Sequence, residues 1–384
     1  MAHTPKGEVR FHKNEHGLPY IDLGESDAEA AMMLLQREMQ EHKETQDSKV
    51  LFVQTVSGNN EGYTKREVTQ AKEAHRAQAM MGNPREKDYK GMVSNNLIAN
   101  FPITSHDVTN ARTIFGPDLA SIRGNTVRRA PEPVVTDYVA VPRTLIEANK
   151  VITLAVDVFF VDGTVFLLTV ARRIKFMTAE HVPVRTATSL SKHLKHVLEV
   201  YRRAGFVVKT ILIDGEFEKI KSLMPSVECN TTAAKEHVSK ADRMIRTVKE
   251  RMCGLLATLP FSHIPKRMKI EIVYFVILWL NEFLVKLGIS QTILPWELLM
   301  HWHFDYKKHC RVQPGTYCEV HDEPVPTNTM LWCTHKAVAL GPTGNLQGSM
   351  KFYCINTGRV LKCRSFTPMP MPNRVIKRVN MNGE

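Results

Sequence analysis

The stretch from Val151 to Phe160 constrains this chain more than any other, because it is β-branched or otherwise apolar almost throughout. A strand of that kind belongs at the centre of a sheet covered on both faces. Asp157 interrupts it, and a carboxylate in such a place is costly unless it is paired or bound to a cation. The situation recurs in Val207 to Ile213, a second buried strand, which ends on Asp214.

Between them the pattern supplies the rest of a mixed sheet. Asp162-Gly163 makes a hairpin turn into Thr164 to Val170, and Lys175 to Val182 can pair as a third strand. Ser189 to Ala204 reads as an amphipathic helix with Leu190, Leu194, Val197, Leu198 and Tyr201 on one face, closed by Gly205. Two further helices are expected over Ala233 to Leu259 and Lys266 to Val285.

Upstream, the run Gly17-Leu18-Pro19-Tyr20-Ile21-Asp22-Leu23 within Phe11 to Leu23 suits one short extended segment, and Ser26 to about Glu41 a helix with an N-cap serine. Thr64-x-x-Glu67 is a capping box announcing a helix to Met81, ended by Gly82 and Pro84. His106 to Ile114 suits another, stopped by Gly116-Pro117. Arg128, Arg129, Pro131, Pro133 and Pro142 then mark an extended connection and a boundary. Downstream, from Tyr317, short β-rich pieces alternate with turns such as Gly341-Pro342-Thr343-Gly344. The expected division is a mostly helical region over 1–143, a core over 144–300 and a small all-β domain over 301–384.

Composition narrows the class of partner. With 51 Lys and Arg against 39 Asp and Glu, the formal net charge is +12. That excess favours a polyanion, since each neutralised phosphate releases counterions; a generally basic surface with no specific partner is the plainer alternative. Met1 to Gly17 has no secretory-type hydrophobic stretch. The most apolar run, Ile272 to Leu280, is far short of the ~20 residues a bilayer requires, so no membrane role is expected. The seven cysteines never form a CxxC pair, which favours free thiols in a reducing, intracellular setting.

Two aspartates on adjacent strands could share divalent ions, which prefer hard oxygen ligands. Each one alone is as well explained as the end of a strand or the cap of a turn. On the long helix, Asp242, Arg246 and Lys249 fall at i, i+4 and i+7 and share a face. That stripe suits either a metal ligand beside a phosphate-binding edge or a solvated face with i,i+4 ion pairs. His301, His303, His309 and Cys310 cluster in sequence without a second ligand pair and are expected to be structural; His12 and His16 likewise lack partners for zinc.

These segments resemble the integrase catalytic domain of copia-type retrotransposon polyproteins, within the retroviral integrase and RNase H-like superfamily. Leu154-Ala155-Val156-Asp157 resembles the family's first-acid motif, and Leu212-Ile213-Asp214-Gly215-Glu216-Phe217 its second. Ala241-Asp242-Arg243-x-x-Arg246-Thr247 resembles the helix bearing the third acid. Gln291-Thr292-x-x-Pro295-Trp296-Glu297-Leu298 resembles the segment that closes the core. Weaker similarity extends to Ala111-Arg112-x-Ile114-Phe115-Gly116 and Gly124-x-Thr126-Val127-Arg128 on one side, and to Val338-Ala339-Leu340-Gly341 with Thr357-Gly358-Arg359-Val360 on the other.

The resemblance implies an RNase H-like mixed five-stranded sheet flanked by helices, and a polynucleotidyl transferase that processes DNA 3′ ends and joins them to target DNA. It implies that two Mg²⁺ or Mn²⁺ ions are held by Asp157, Asp214 and Asp242, with Arg243, Arg246 and Lys249 on backbone phosphates. A homo-oligomer acting in the nucleus is expected, although no clear targeting signal is present. Three departures stand out. The family's third acid is glutamate, where this chain has Asp242; only 27 residues (215–241) separate it from Asp214; and no cysteine precedes Cys229, so a family-type zinc module is not expected. The aspartate in place of glutamate and the missing zinc ligands favour the rival reading, a non-catalytic nucleic-acid-binding descendant. A purely structural partner in a polyprotein particle is the third.

Overall fold

The computed structural model describes residues 2–4, 7–9, 12–13, 19–20, 53–124, 138–232, 239–285, 288–321, 332 and 334–384. The chain gathers into two compact units, Met1–Val50 and Leu51–Glu384. In the first unit, β1 (Ala2–Thr4) pairs antiparallel with β2 (Gly7–Val9), and β3 (His12–Lys13) with β4 (Pro19–Tyr20). Within the run expected to be extended, Pro19–Tyr20 is a strand, with Tyr20 opposite His12. The helix expected from Ser26 to Glu41, and the Arg128–Pro133 connection, lie outside the described residues.

The second unit opens with α1 (Val56–Asn60), α2 (Lys65–Met80), α3 (Glu86–Ser94), α4 (Ser105–Phe115) and α5 (Leu119–Gly124). The Thr64–Glu67 box begins α2 as its spacing predicts, and Thr104 with Asp107 makes a second box at α4. These helices close on their own core of Ala71, Ala74, Tyr89, Val93, Val108, Ala111 and Ile114. Helix α3 has no long apolar periodicity; Tyr89 and Val93 earn it a place by packing into that core. The short α6 (Arg143–Ala148) leads into the main sheet.

That sheet contains β5 (Val151–Val161), β6 (Thr164–Ala171), β7 (Met177–His181), β8 (Val207–Asp214) and β9 (Glu228–Thr232), in the order β7-β6-β5-β8-β9. Strands β5, β6 and β7 meander antiparallel, while β5, β8 and β9 run parallel. The meander turns at Asp162 and Gly163, both with positive φ, as a two-residue type I′ turn requires. Period-two alternation sends the side chains of β5 to two different helical layers. Ile152, Leu154 and Val156 meet α7 (Ala187–Arg203) through Leu190, Leu194, Val197 and Tyr201. On the opposite face Phe159, with Phe166 and Leu168 of β6, packs with α8 (Ser239–Ala257) and α9 (Lys266–Leu280) through Val248, Met252, Val273 and Val276.

Helix α9 stops at Leu280, five residues short of the expected Val285. The buried Asn281 ends it and turns to the sheet: Met177 N–H donates to its Oδ1 (2.8 Å), and its Nδ2 donates to the Met177 carbonyl (2.9 Å). Apolar periodicity continues past that point, but the asparagine amide satisfies two backbone groups of edge strand β7 that a continuing helix would leave unpaired. Beyond it, α10 (Pro295–Met300) and α11 (Tyr306–His309) bring Trp296, Trp302, Phe304 and His309 into one cluster of rings.

A second sheet follows, built from β10 (Tyr317–Val320), β11 (His335–Pro342), β12 (Met350–Cys354), β13 (Val360–Cys363) and β14 (Phe366–Met369), wholly antiparallel in the order β13-β12-β11-β10-β14. It shares a continuous core with the first sheet, Tyr317, Val338, Leu340 and Tyr353 joining Phe159 and Phe166 around α9. The approach is tight at Gly341 (φ +123°), where a Cβ would sit 2.4 Å from Cδ2 of Phe275. The C-terminal part is β-rich but not all-β, because α12 (Asn373–Gly383) folds back and buries Val375 and Val379.

Candidate functional site: an acidic cluster on the central strands

Strands β5 and β8 pair in parallel up to Ala155 opposite Leu212. Two residues beyond on each strand come Asp157 and Asp214, so the two acids lie level with one another on neighbouring strands, about 4.8 Å apart between strand axes. Asp157 belongs to the odd-numbered face of β5, the face on which α8 packs. Helix α8 is seated by the buried Ala241, Val248 and Met252, which leaves Asp242 in its first turn at the end near the acids.

The charges of the other two acids act on Asp157. The Asp157 carboxyl is pushed up to about 6, first by burial and then by the charges of Asp242 and Asp214 and a hydrogen bond with Asp242; the Val158 amide, donating to Asp157 Oδ1 at 2.7 Å, pulls the other way. Among the described residues no cation pairs with any of the three.

The other carboxylates buried in this protein are treated differently. Glu319, within the apolar strand β10 and fully buried, accepts from Arg123 Nη2 (2.9 Å), Tyr317 Oη (2.8 Å) and Thr334 Oγ1 (2.7 Å). Glu271 is met by Lys351 at 2.9 Å and Arg267 at 3.5 Å. Glu282, half-buried beside Glu297, is pushed up to about 7 but gathers one further acid rather than two. The sequence pattern gives no warning of Glu319's role beyond the signal that marks Asp157, an acid in an apolar strand; only the partners tell them apart.

Hard oxygen donors of this kind suit Mg²⁺ or Mn²⁺. Among the described residues, however, no three or more His, Cys, Asp or Glu side chains form a ready ligand cage. The trio is gathered on one side of the sheet without being closed around a common point.

On α8, Arg243, Arg246 and Lys249 are all exposed. Arg246 Nε holds Glu250 at 3.1 Å, the solvated i,i+4 pair that such a charge run also allows. His309 is structural, as expected: its ring is buried against Trp302 and Phe304, Nδ1 accepts from the Asp305 amide (3.0 Å), and Nε2 donates to the Asn345 carbonyl (2.9 Å). The cysteines in the described residues are free thiols. No described helix is long and apolar enough to cross a membrane.

No family model matches this chain, and no curated protein matches it. Among solved structures, the catalytic core domain of BIV integrase is similar at 13% identity and a TM-score of 0.28, over 38% of this chain and 93% of that domain.

Proposed function

We propose that this protein is a polynucleotidyl transferase of the integrase class, acting on DNA at the cluster of Asp157, Asp214 and Asp242. One observation carries the proposal: Asp157 and Asp214 lie level on neighbouring central strands and the charge of Asp242 on α8 acts on Asp157, with no described cation to neutralise them, whereas Glu319 and Glu271 are each paired. An uncompensated acidic cluster costs stability, and a function that needs it is the physical reason to keep it. The finer assignment, the integrase region of a copia-type retrotransposon with an RNase H-like core, is supported by the motifs around Asp157, Asp214 and Asp242 and by Pro295-Trp296-Glu297-Leu298.

In this reading the three carboxylates hold two Mg²⁺ or Mn²⁺ ions. Bound there, such ions supply activation of an attacking oxygen and relief of charge on the leaving oxygen. The chain's own residues set the geometry. Asp157 and Asp214 are fixed by their strands, and Asp242, exposed in the first turn of α8, would supply the third carboxylate. Arg243, Arg246 and Lys249 hold the DNA backbone along the helix, which positions the strand without reading its sequence; for this Arg246 exchanges Glu250 for a phosphate. Processing of element ends, strand transfer, assembly as a homo-oligomer and action in the nucleus belong to the same proposal.

The second reading, a nucleic-acid-binding protein without catalysis, is favoured by Asp242, which is exposed and one methylene shorter than the family's glutamate. Strand transfer on end-mimicking DNA with Mn²⁺ separates the two. Activity is expected from the native protein and not from Asp157→Ala, and Asp242→Glu should raise the Mg²⁺-dependent rate. A ligand misplaced by about 1 Å can cost roughly 10²-fold. If the native protein and Asp242→Glu are both inert with either ion while still binding DNA, the second reading stands.

A further inference from the structure

A second group of metal-ligating side chains lies across the main sheet from the acids. On edge strand β7, Met177 and Ala179 are buried on the face covered by α8 and α9, so alternation sends the Glu180 side chain to the opposite face, where α7 packs. Two histidines of α7 meet it there. His196 Nδ1 donates to Glu180 Oε1 at 3.1 Å, and His193 Nδ1 lies 3.7 Å from Oε2. Three residues apart, the two rings share one side of the helix. The backbones behind them are fixed: Glu180 sits opposite Leu167 in the β6–β7 ladder, and Leu190, Leu194 and Val197 seat α7 on the sheet.

The choice of residue is informative. A carboxylate that only needs neutralising is met elsewhere on this helix by guanidiniums, Arg202 and Arg203 holding Glu199 at 2.7 and 3.0 Å. Lys192 and Lys195 adjoin the histidines and are exposed, yet among the described residues only the two imidazoles pair with Glu180. Two imidazoles with one carboxylate are the donor set of a zinc site whose fourth position is open. The spacing agrees: donors about 2.1 Å from a tetrahedral ion lie about 3.4 Å apart, between the 3.1 and 3.7 Å found. The trio is not a closed cage as it stands. The proton that His196 directs at the carboxylate occupies the ion's place, and the ion displaces it. Solvent gives access, since the His196 side chain is 68% exposed. His181, on the reverse face of β7, is held below the usual histidine range by burial and by Lys266, Arg267 and His193, and is no fourth ligand.

We propose that Glu180, His193 and His196 bind a transition ion of the zinc class, with water in the fourth position, and that the ion pins edge strand β7 to α7. Imidazole nitrogen suits Zn²⁺, Ni²⁺ or Cu²⁺ rather than Mg²⁺, so this site and the acidic cluster take different ions.

The test is a calorimetric Zn²⁺ titration of the full chain, stripped with chelator and then held in millimolar Mg²⁺. His193→Gln with His196→Gln should weaken one equivalent of binding by more than roughly 100-fold, beyond the ~10–100-fold that partners outside the ligand shell command. Asp157→Asn, which alters the acidic cluster, should bind that equivalent unchanged, so failure there and failure here are told apart. In hydrogen exchange, Zn²⁺ should slow the amides of β7 in the native protein and not in the double variant. Melting curves in chelator establish that each variant is folded; should the double variant unfold, His196→Gln, at an exposed ring, decides alone. Zn²⁺ affinity unchanged in the histidine variants overturns the proposal, because the ion then belongs to thiols or to the acids. So does complete displacement of Zn²⁺ by millimolar Mg²⁺, or loss of the same equivalent in Asp157→Asn.

Discussion

Asparagine at position 157 keeps the shape of the aspartate side chain and removes its charge. In the native protein that carboxyl is raised from the ordinary 3.8 to about 6, so folding favours its protonated form. The sign follows: the folded state binds the proton more tightly than the unfolded chain, so stability is lost as pH rises from about 4 through 6 and stays lost above it. The interval corresponds to about 3 kcal/mol at ~1.36 kcal/mol per pH unit. Because Asp157 is only half-buried, solvent screening reduces that to about 1–2 kcal/mol. Asp157→Asn should therefore stabilise the protein by about 1–2 kcal/mol at pH 7.5 and by close to nothing near pH 4, while abolishing strand transfer. Urea unfolding at the two pH values measures the difference directly. Mg²⁺ or Mn²⁺ should raise the melting temperature of the native protein at pH 7.5 and leave the variant unmoved, since only a ligand that binds the folded state stabilises it. A variant less stable than native at pH 7.5, or equally stabilised at both pH values, would refute the account of Asp157 as a strained member of an acidic cluster.

Two structural substitutions should instead destabilise the protein. Glu319→Ala strips Arg123 of its partner in a buried setting and is expected to destabilise by about 3–5 kcal/mol in chemical unfolding, with loss of the tie between α5 and β10. Asn281→Leu leaves the amide and carbonyl of Met177 unpaired on edge strand β7 and should cost about 2–4 kcal/mol, read as faster hydrogen exchange at that strand before global unfolding.

The elements legible in the sequence are those whose stabilising contacts are local or periodic. Thr64 and Glu67 bond within one helical turn, so the start of α2 is written in four residues. Asp162-Gly163 fixes a turn by its own backbone preferences, and the nearly unbroken apolar run of Val151–Val161 marks a strand covered on both faces. Strand β9, Glu-Cys-Asn-Thr-Thr, has no such signal; it exists because parallel β8 offers a ladder on its outer side.

What the sequence determined on its own was therefore the presence of Asp157 and Asp214 on apolar strands, an anomaly that local chemistry makes visible without coordinates. Whether such an acid is structural or available was decided by tertiary structure alone. Glu319 is as buried in its strand as any acid among the described residues, yet Arg123, 196 residues away, neutralises it. Asp157 instead meets Asp214 across a parallel ladder and Asp242 from a helix packed on the same face. Those encounters depend on which strands become neighbours and on which face α8 lands. Such choices are made by burying apolar surface over the whole core, a sum to which no short stretch of sequence gives access.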